Sequence, residues 1–547
     1  MAIVYSPQQF AIVSRFKEHV VNPAPQKTYA FSAPRSPDAP IRRSPVTACI
    51  AVVALLLAGC NGDSSGPGLL SNPRITIVAG GGATDTIGTM ITTPLTVSVL
   101  DSAGEPAVGT VVRFEVDATP GPRVFLARAS NGIPLATLVE MPTDVNGRAS
   151  VYLYTGLTAG AAAVHVSAPA FSISKDDTVT IRPGLRARIR VPADTAVYVD
   201  GTFIMPASTV TDRNDNAYPD AVTYSSSDAT ISVTQGVVTG RKFGPAQVTA
   251  QSGSLTASIN VAVVPRGSFA ARVWEGTNIG VAVMNLDLSN YQSLASTLRN
   301  PVCSGCALPL VKPRWNANGS RIVYSAGYDQ GSFERARVVS VAVGGVTQDL
   351  ITPPAPQMAS DPSYSPDGAW LYFVQGDDWQ SYVIRRSRTD GTSPESVPAA
   401  NPAEFGAERR PALSPDGTLL AYSVGYIQPR IRIRGVATGD RLPVDAPGTA
   451  PLWSPTGTQL AYVNSENLAG YSGELRLINA DGSGGRRIAE GAYTTSFGWS
   501  PDGKYIIAEG HGAPNGIRII EVATGTVVVV KSGSRLAEPS WRSTTQP

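Results

Sequence analysis

Histidine, cysteine, charge and long apolar runs are all scarce in this chain. Its 547 residues include three histidines and four cysteines, and only 16% are charged. Beyond residue 60 the histidines are His165 and His511, and neither sits in a recognisable base motif. A Ser-His-Asp or Cys-His hydrolase therefore has no evident general base. The formal net charge is +2 and there is no long basic run, so nothing steers the chain toward nucleic acid. No apolar run reaches the roughly 20 residues that a membrane-spanning helix needs. Glycine (53) and proline (44) are plentiful but follow no three-residue period, which excludes collagen. Set between short β-branched runs, they point to a turn-rich all-β protein of several domains. No catalytic residue, metal ligand or cofactor motif can be assigned, and none is expected.

What is present begins with two arginines, Arg42 and Arg43, ahead of the run ACIAVVALLLAGC that ends at Cys60. About a dozen apolar residues suit the h-region of a signal peptide. The segment Leu57-Ala58-Gly59-Cys60 resembles the lipobox of bacterial lipoproteins. The resemblance implies cleavage before Cys60 and acylation of its thiol, with palmitate-type chains anchoring the protein in membrane lipid. Asn61, rather than Asp, then implies the outer membrane, with the chain facing the periplasm or the cell surface. Residues 1–41, upstream of the signal, read as an incorrectly chosen start, so 1–59 comprises an upstream extension and the signal peptide. Residues 60–73 are rich in Gly, Ser, Asp, Asn and Pro and read as a flexible tether. Within them Gly62-DSSGP is superficially similar to a trypsin-like nucleophile loop, but a flexible linker cannot preorganise a nucleophile.

Two sets of alternating runs follow. Residues 74–184 contain Leu95-TVSVLD, Val111-VRFEVD and Ala149-SVYLYTG, separated by turns such as Asp101-SAGEP and Thr143-DVNGR. Period-two alternation at this spacing predicts a β-sandwich. Residues 185–265 contain Val222-TYSSSDATISV and Gly236-VVTGRKFGPAQVTA. These resemble the bacterial Ig-like domain of group two. The earlier set resembles invasin-type Ig-like domains through Pro94-LTVSVLDSAGEPAVGTVVRFEV. Asp212, Asn214, Asp215 and Asn216 bring oxygen ligands together as a calcium loop would, but lack the EF-hand order and its terminal Glu. A hydrogen-bonded connecting loop is the competing reading.

From 266 to 547 a repeat dominates. Copies begin Pro313-RWNANG, Pro362-SYSPDG, Pro411-ALSPDG, Pro451-LWSPTG and Phe497-GWSPDG, with a truncated Pro539-SWRS. Their anchors Trp315, Tyr364, Leu413, Trp453, Trp499 and Trp541 are spaced by 49, 49, 40, 46 and 42 residues. That period fits one four-stranded blade of a propeller. In the turns, Pro366, Pro415 and Pro501 pre-set φ, Asp367, Asp416 and Asp502 brace the chain, and Gly368, Gly417 and Gly503 accept positive φ. Those aspartates invite an acid–base reading, but their recurrence in a turn favours structure. The run after Ser268 has the phase of the post-turn strand. Pairing it with the strand near Trp541 predicts six blades with a split closing blade. The block resembles the TolB-type propeller, whose repeat centres on the same W-S-P-D-G pattern. The resemblance implies a protein-interaction role without fixing the partner.

Cys303 and Cys306 remain after the signal and lipid cysteines are set aside. In an oxidising compartment a local disulfide is the leading reading. A thioredoxin-like site lacks its βαβ context, and zinc lacks a second Cys pair. The expectation is thus an all-β chain: two Ig-like β-sandwich modules followed by a six-bladed β-propeller, on a lipid-anchored cell-envelope interaction or scaffold protein. Its expected partners are membrane lipid through Cys60 and an envelope protein, peptidoglycan or glycan, with no nucleic acid. The rival readings are a propeller hydrolase or lyase acting on envelope glycan or peptide, and a surface adhesin.

Overall fold

The computed structural model describes residues 72–117, 123–131, 134–275, 278–299, 311–327, 336–377, 381–398, 408–425, 428–464, 472–511, 515–533 and 535–542. Leu57, Ala58, Gly59, Cys60, Cys303 and Cys306 lie outside these residues. The described chain is almost entirely β-structure, with a single 3-10 turn, Pro169–Phe171, as its helical element. Among the described residues no helix is long and apolar enough to cross a membrane.

Strict alternation builds the first module. Leu95, Val97 and Val99 are fully buried on one face of Leu95–Leu100, while their neighbours face outward. One sheet orders Arg74–Ala79, Leu95–Leu100, Arg148–Thr155 and Val124–Ala127. A second orders Thr84–Thr86, Ile173–Arg182, Gly160–Ala168, Val111–Val116 and Leu138–Pro142. Residues of both sheets, Val97 and Leu153 with Phe114 and Val166 among them, share one core. The turns are braced as their sequences require. Asp101 Oδ1 accepts the Ala103 and Glu105 amides, and Asp144 Oδ1 accepts those of Asn146 and Arg148.

The second module packs three small sheets around Val210, Val238, Val248 and Ile259. Its longest strand, Leu255–Val264, pairs antiparallel with Gly244–Ser252 and parallel with Thr195–Tyr198. The loop considered for calcium sits where the two modules meet, and its oxygens are already committed. Asp212 is 1% exposed. Its Oδ1 accepts the Asn214 and Asn216 amides, and its Oδ2 accepts the Gly184 amide and Asn216 Nδ2. Asn216 also reaches into the first module, donating to Leu157 O and accepting the Ala159 amide at 2.7 Å. Asp215 turns away to Arg188 and Arg190, which draw its pKa down to about 2. The loop is therefore a pin between modules.

Asp212→Ala should accordingly loosen this junction, because it strips acceptors from buried donors. The expected loss is about 2–3 kcal/mol in the unfolding of the second module, read by denaturant titration. Burial alone would raise the Asp212 pKa, but its N–H donors outweigh that and hold it below 3.8. Its stabilisation is thus full above the unfolded value and fades as pH falls through the lower folded value.

The second module continues into the C-terminal half without a gap in the core. Ala196, Ala262 and Val264 share a cluster with Phe269, Ala271, Ile517, Ile519 and Trp541. Phe243 packs on Tyr505 with ring centroids 4.9 Å apart, and Tyr505 stacks on Trp541 at 6.4 Å. Tyr198 donates to Gly267 O.

The C-terminal half consists of repeated antiparallel meanders. The first three begin with Arg314–Trp315, Met358–Tyr364 and Glu408–Leu413. The fourth and fifth begin with Thr449–Trp453 and Ala492–Trp499 and are joined through Ser472↔Thr494. A further sheet orders Gln292–Arg299, Asn278–Asn285, Ser268–Glu275 and Leu536–Trp541. In it Phe269 pairs with Trp541, the pairing predicted by the repeat phase. The innermost strands touch their neighbours in turn, and Leu536–Trp541 contacts Arg314–Trp315 to complete a cycle.

Candidate functional site

Each repeat anchor lies at the end of an innermost strand. Trp315, Trp453, Trp499 and Trp541 are at most 9% exposed, so their large rings fill the space between sheets. Their indole N–H groups also staple neighbours. Trp315 donates to Ser540 O at 3.1 Å, Trp453 to Ala412 O at 3.1 Å and Trp499 to Leu452 O at 3.2 Å. In each case the acceptor is the residue just before the preceding unit's anchor. Tyr364 and Leu413 take the same place and pack against adjacent sheets.

The turn aspartates sit past the anchors and are bound up in their own turns. Asp367 accepts Ser365 Oγ at 2.5 Å and the Ala369 amide, below which Gly368 takes φ 69°. Asp416 accepts Ser414 Oγ at 2.5 Å and the Thr418 amide. Asp502 accepts Ser500 Oγ at 2.6 Å and the Lys504 amide. The serine hydroxyls hold the Asp367 and Asp416 carboxyls below the ordinary carboxylate pKa. Pro366, Pro415 and Pro501 occupy the adjoining turn positions. His165 lies on the first module, paired with Asp176 at 2.8 Å, and that hydrogen bond raises its pKa.

A second ring of positions, not singled out from the sequence, lies three residues before the anchors. It comprises Lys312, Asp361, Arg410, Ala450, Ser496 and Glu538. Five of them take left-handed backbone: φ is 35° at Lys312, 49° at Asp361, 54° at Arg410, 55° at Ala450 and 51° at Glu538. The strands bulge there, since pairing skips from Ser360 to Ser363, from Arg409 to Ala412 and from Thr449 to Leu452. A non-glycine residue in this conformation costs about 1 kcal/mol or more, so its repetition in register is a strained feature held by its surroundings. The sequence signal was available. Proline follows this residue in five of the six copies, as Pro313, Pro362, Pro411, Pro451 and Pro539. The residue before proline is disfavoured from ordinary helical geometry, which marks the position as special without fixing its left-handed backbone.

The amides freed by the bulges are met by the neighbouring unit. Ser325 Oγ accepts the Asp361 amide, Ser423 Oγ the Ala450 amide, and Glu509 Oε2 the Glu538 amide. Ser325, Ser423 and Glu509 each lie ten residues after an anchor. Burial raises the Glu509 pKa. Around them runs a buried charge network. Lys312 Nζ meets Asp361 Oδ1 at 2.8 Å. Glu538 reaches Arg272 at 3.3 Å with Oε1 and accepts the Lys312 amide at 2.9 Å with Oε2. Glu408 pairs with Arg434 at 2.6 Å, both at most 3% exposed. Burial and the nearby Arg410 lower the Lys312 pKa. Burial would raise Asp361, but Lys312, Arg410 and Arg409 more than offset it, and its pKa falls below the carboxylate range.

Lys312, Arg314, Asp361, Ser363, Arg410 and Thr495 help line a cavity of about 30 Å³ between the innermost strands. Small-molecule sites usually run from about 300 Å³ upward. A space of this size has room for one small polar group.

No protein-family model matches the chain, and no curated protein does. Among solved structures it is similar to TolB from Acinetobacter baumannii, at 14% identity and a TM-score of 0.42, over 65% of this chain and 98% of that one. A putative TolB from Agrobacterium tumefaciens is similar at 16% identity and a TM-score of 0.37, over 50% and 92%. An oligogalacturonate lyase in complex with manganese is similar at 15% identity and a TM-score of 0.32, over 49% and 73%. The largely β-sheet chain thus resembles TolB-type proteins distantly, and its function has to be read from its own residues.

Proposed function

We propose that this chain is a lipid-anchored interaction or scaffold protein of the cell envelope. In this reading, residues 266–547 are a six-bladed TolB-like propeller, residues 74–184 and 185–265 are Ig-like stalk modules, and acylated Cys60 tethers the whole to the outer membrane. The observation that carries it is the unbroken packing along the stalk. The Asp212 and Asn216 pin fixes one module to the next, and the Phe243–Tyr505–Trp541 stack welds the second module to the ring. A stiff mount of this kind holds a binding surface at a set distance from its anchor. The partner is an envelope protein, peptidoglycan or glycan met by the ring's loops. We read the chain as a binder rather than an enzyme, because the aspartates and glutamates described at the ring serve turns, bulges and ion pairs. Cys303 and Cys306 form a disulfide in this reading.

Cys60→Ser tests the anchor. The wild type should stay with membranes through a high-salt wash and partition into detergent, whereas the variant should appear in the soluble fraction. A variant that still sediments with membranes after the wash would count against the tether. Crosslinking of both forms in cells should then recover the same partner at lower yield from the variant, since lost tethering removes effective concentration rather than the binding surface.

A further inference from the structure

Arg314 is weakly held for a cation of the ring. It lies two residues after Lys312 and one before the anchor Trp315, and it lines the cavity described above. A guanidinium carries five N–H donors in a planar fork. The hydrogen bonds Arg314 makes run from Nη1 to Pro313 O at 3.4 Å and to Phe497 O at 3.3 Å. Both are at the long limit for such bonds. Among the described residues no carboxylate is paired with it, and Asp361 and Glu538 act on it only at longer range, whereas Lys312 has Asp361, Arg272 has Glu538 and Arg434 has Glu408. Burial pushes the Arg314 pKa down to about 10, which still leaves it charged at neutral pH. Beside it, Lys312, Arg410, Asp361 and the polar residues Ser363 and Thr495 line the same small space, so its charged lining is three cations to one carboxylate.

We propose that this cavity is a binding site for one small oxyanion group, a carboxylate or phosphate, held by Arg314 with help from Lys312, Ser363 and Thr495. The chemistry is that of a forked cation meeting two oxygens, with a second cation and hydroxyls to take the remaining lone pairs. The volume admits the anionic group and little else, so any larger body attached to it stays outside the cavity. Two sources fit: a free small anion, or the terminal carboxylate of a peptide inserted into the ring. The left-handed bulges at Lys312, Asp361 and Arg410 set the walls of the site, which gives that strain a use. The site does not depend on how the chain is anchored.

The test titrates the full chain, purified in detergent and chloride-free buffer, with sodium phosphate, sodium acetate, and a short acetylated peptide ending in either a free carboxylate or an amide. Calorimetry and thermal melting are the readouts. One saturable site is expected, with a melting temperature raised by several degrees at saturation. Arg314→Met should weaken binding at least tenfold, and Ser363→Ala severalfold. Arg314→Lys keeps the charge but not the fork. It should retain weakened binding, and it serves if the methionine variant fails to fold. Tighter binding of the free-carboxylate peptide than of acetate, with none of the amide, assigns a chain terminus as the source. Equal binding of acetate, phosphate and peptide carboxylate assigns a free anion. No saturable response from any anion, or equal affinity in the wild type and Arg314→Met, would overturn the proposal.

Discussion

Glu538→Ala is expected to destabilise the ring by about 3–5 kcal/mol, the range for removing one member of a buried ion pair. Glu538 stands where two strands meet the segment leading into a third. It lies in Leu536–Trp541, binds Arg272 of Ser268–Glu275, and accepts the amide of Lys312 at the head of the first repeat unit. The Arg272 and Glu538 side chains are 9% and 11% exposed, so solvent cannot replace what alanine removes. The Lys312 amide loses its acceptor in the same step, which adds to the penalty. For a cooperative unit of this size the melting temperature should drop by roughly 10 °C. Glu538→Gln separates the two roles. It keeps an acceptor for the Lys312 amide while discarding the charge, and should fall between wild type and alanine. A drop below about 1 kcal/mol for alanine would show that apolar packing alone closes the ring.

The pair Glu408–Arg434 makes a comparable prediction with a different internal control. Either single change, Glu408→Leu or Arg434→Met, should cost about 3–5 kcal/mol, since each strands a buried charge. Changing both together usually restores stability, because two apolar side chains need no counterion. Here restoration should be incomplete. Glu408 Oε2 also accepts the buried Ile384 amide at 2.9 Å, and leucine offers that amide nothing. The double variant should therefore remain about 1–3 kcal/mol below wild type. Denaturant titration of all four proteins gives the coupling energy. A double variant more stable than wild type would mean the Ile384 amide finds another acceptor.

What the sequence made legible followed from periodicity. Alternation in Leu95–Leu100 exposes which face is buried, because neighbouring residues on a strand point to opposite sides. The phase of the repeat exposes the pairing of Phe269 with Trp541, because equivalent positions must occupy equivalent strands. The Asp367 and Asp416 turns were readable because the brace is local, spanning two residues. The charge network was harder to see. Lys312, Asp361, Arg410 and Glu538 are different residue types at one structural position, and their meaning arises only when the strands are brought round together. Arg272 and Glu538 are far apart in the chain, so no local pattern links them. The asparagine and aspartate cluster at 212–216 was ambiguous for a related reason. Calcium ligands and amide acceptors are the same oxygens, and only the placement of Gly184, Leu157 and Ala159 tells which they are.

The pairing of Phe269 with Trp541 has a consequence for how the protein comes to exist. The strand that opens the ring is made early, and the strand that completes its sheet comes last. Until Trp541 has emerged from the ribosome, and from any translocation pore, Ser268–Glu275 has one hydrogen-bonding edge without its partner. During that interval the nascent chain is open to pairing with a stranger, and closing so long a loop is slow. Production in cells should thus be limited by escort of the unfinished chain rather than by the durability of the finished one. Any truncation that removes the last strand should yield aggregates rather than a smaller working ring.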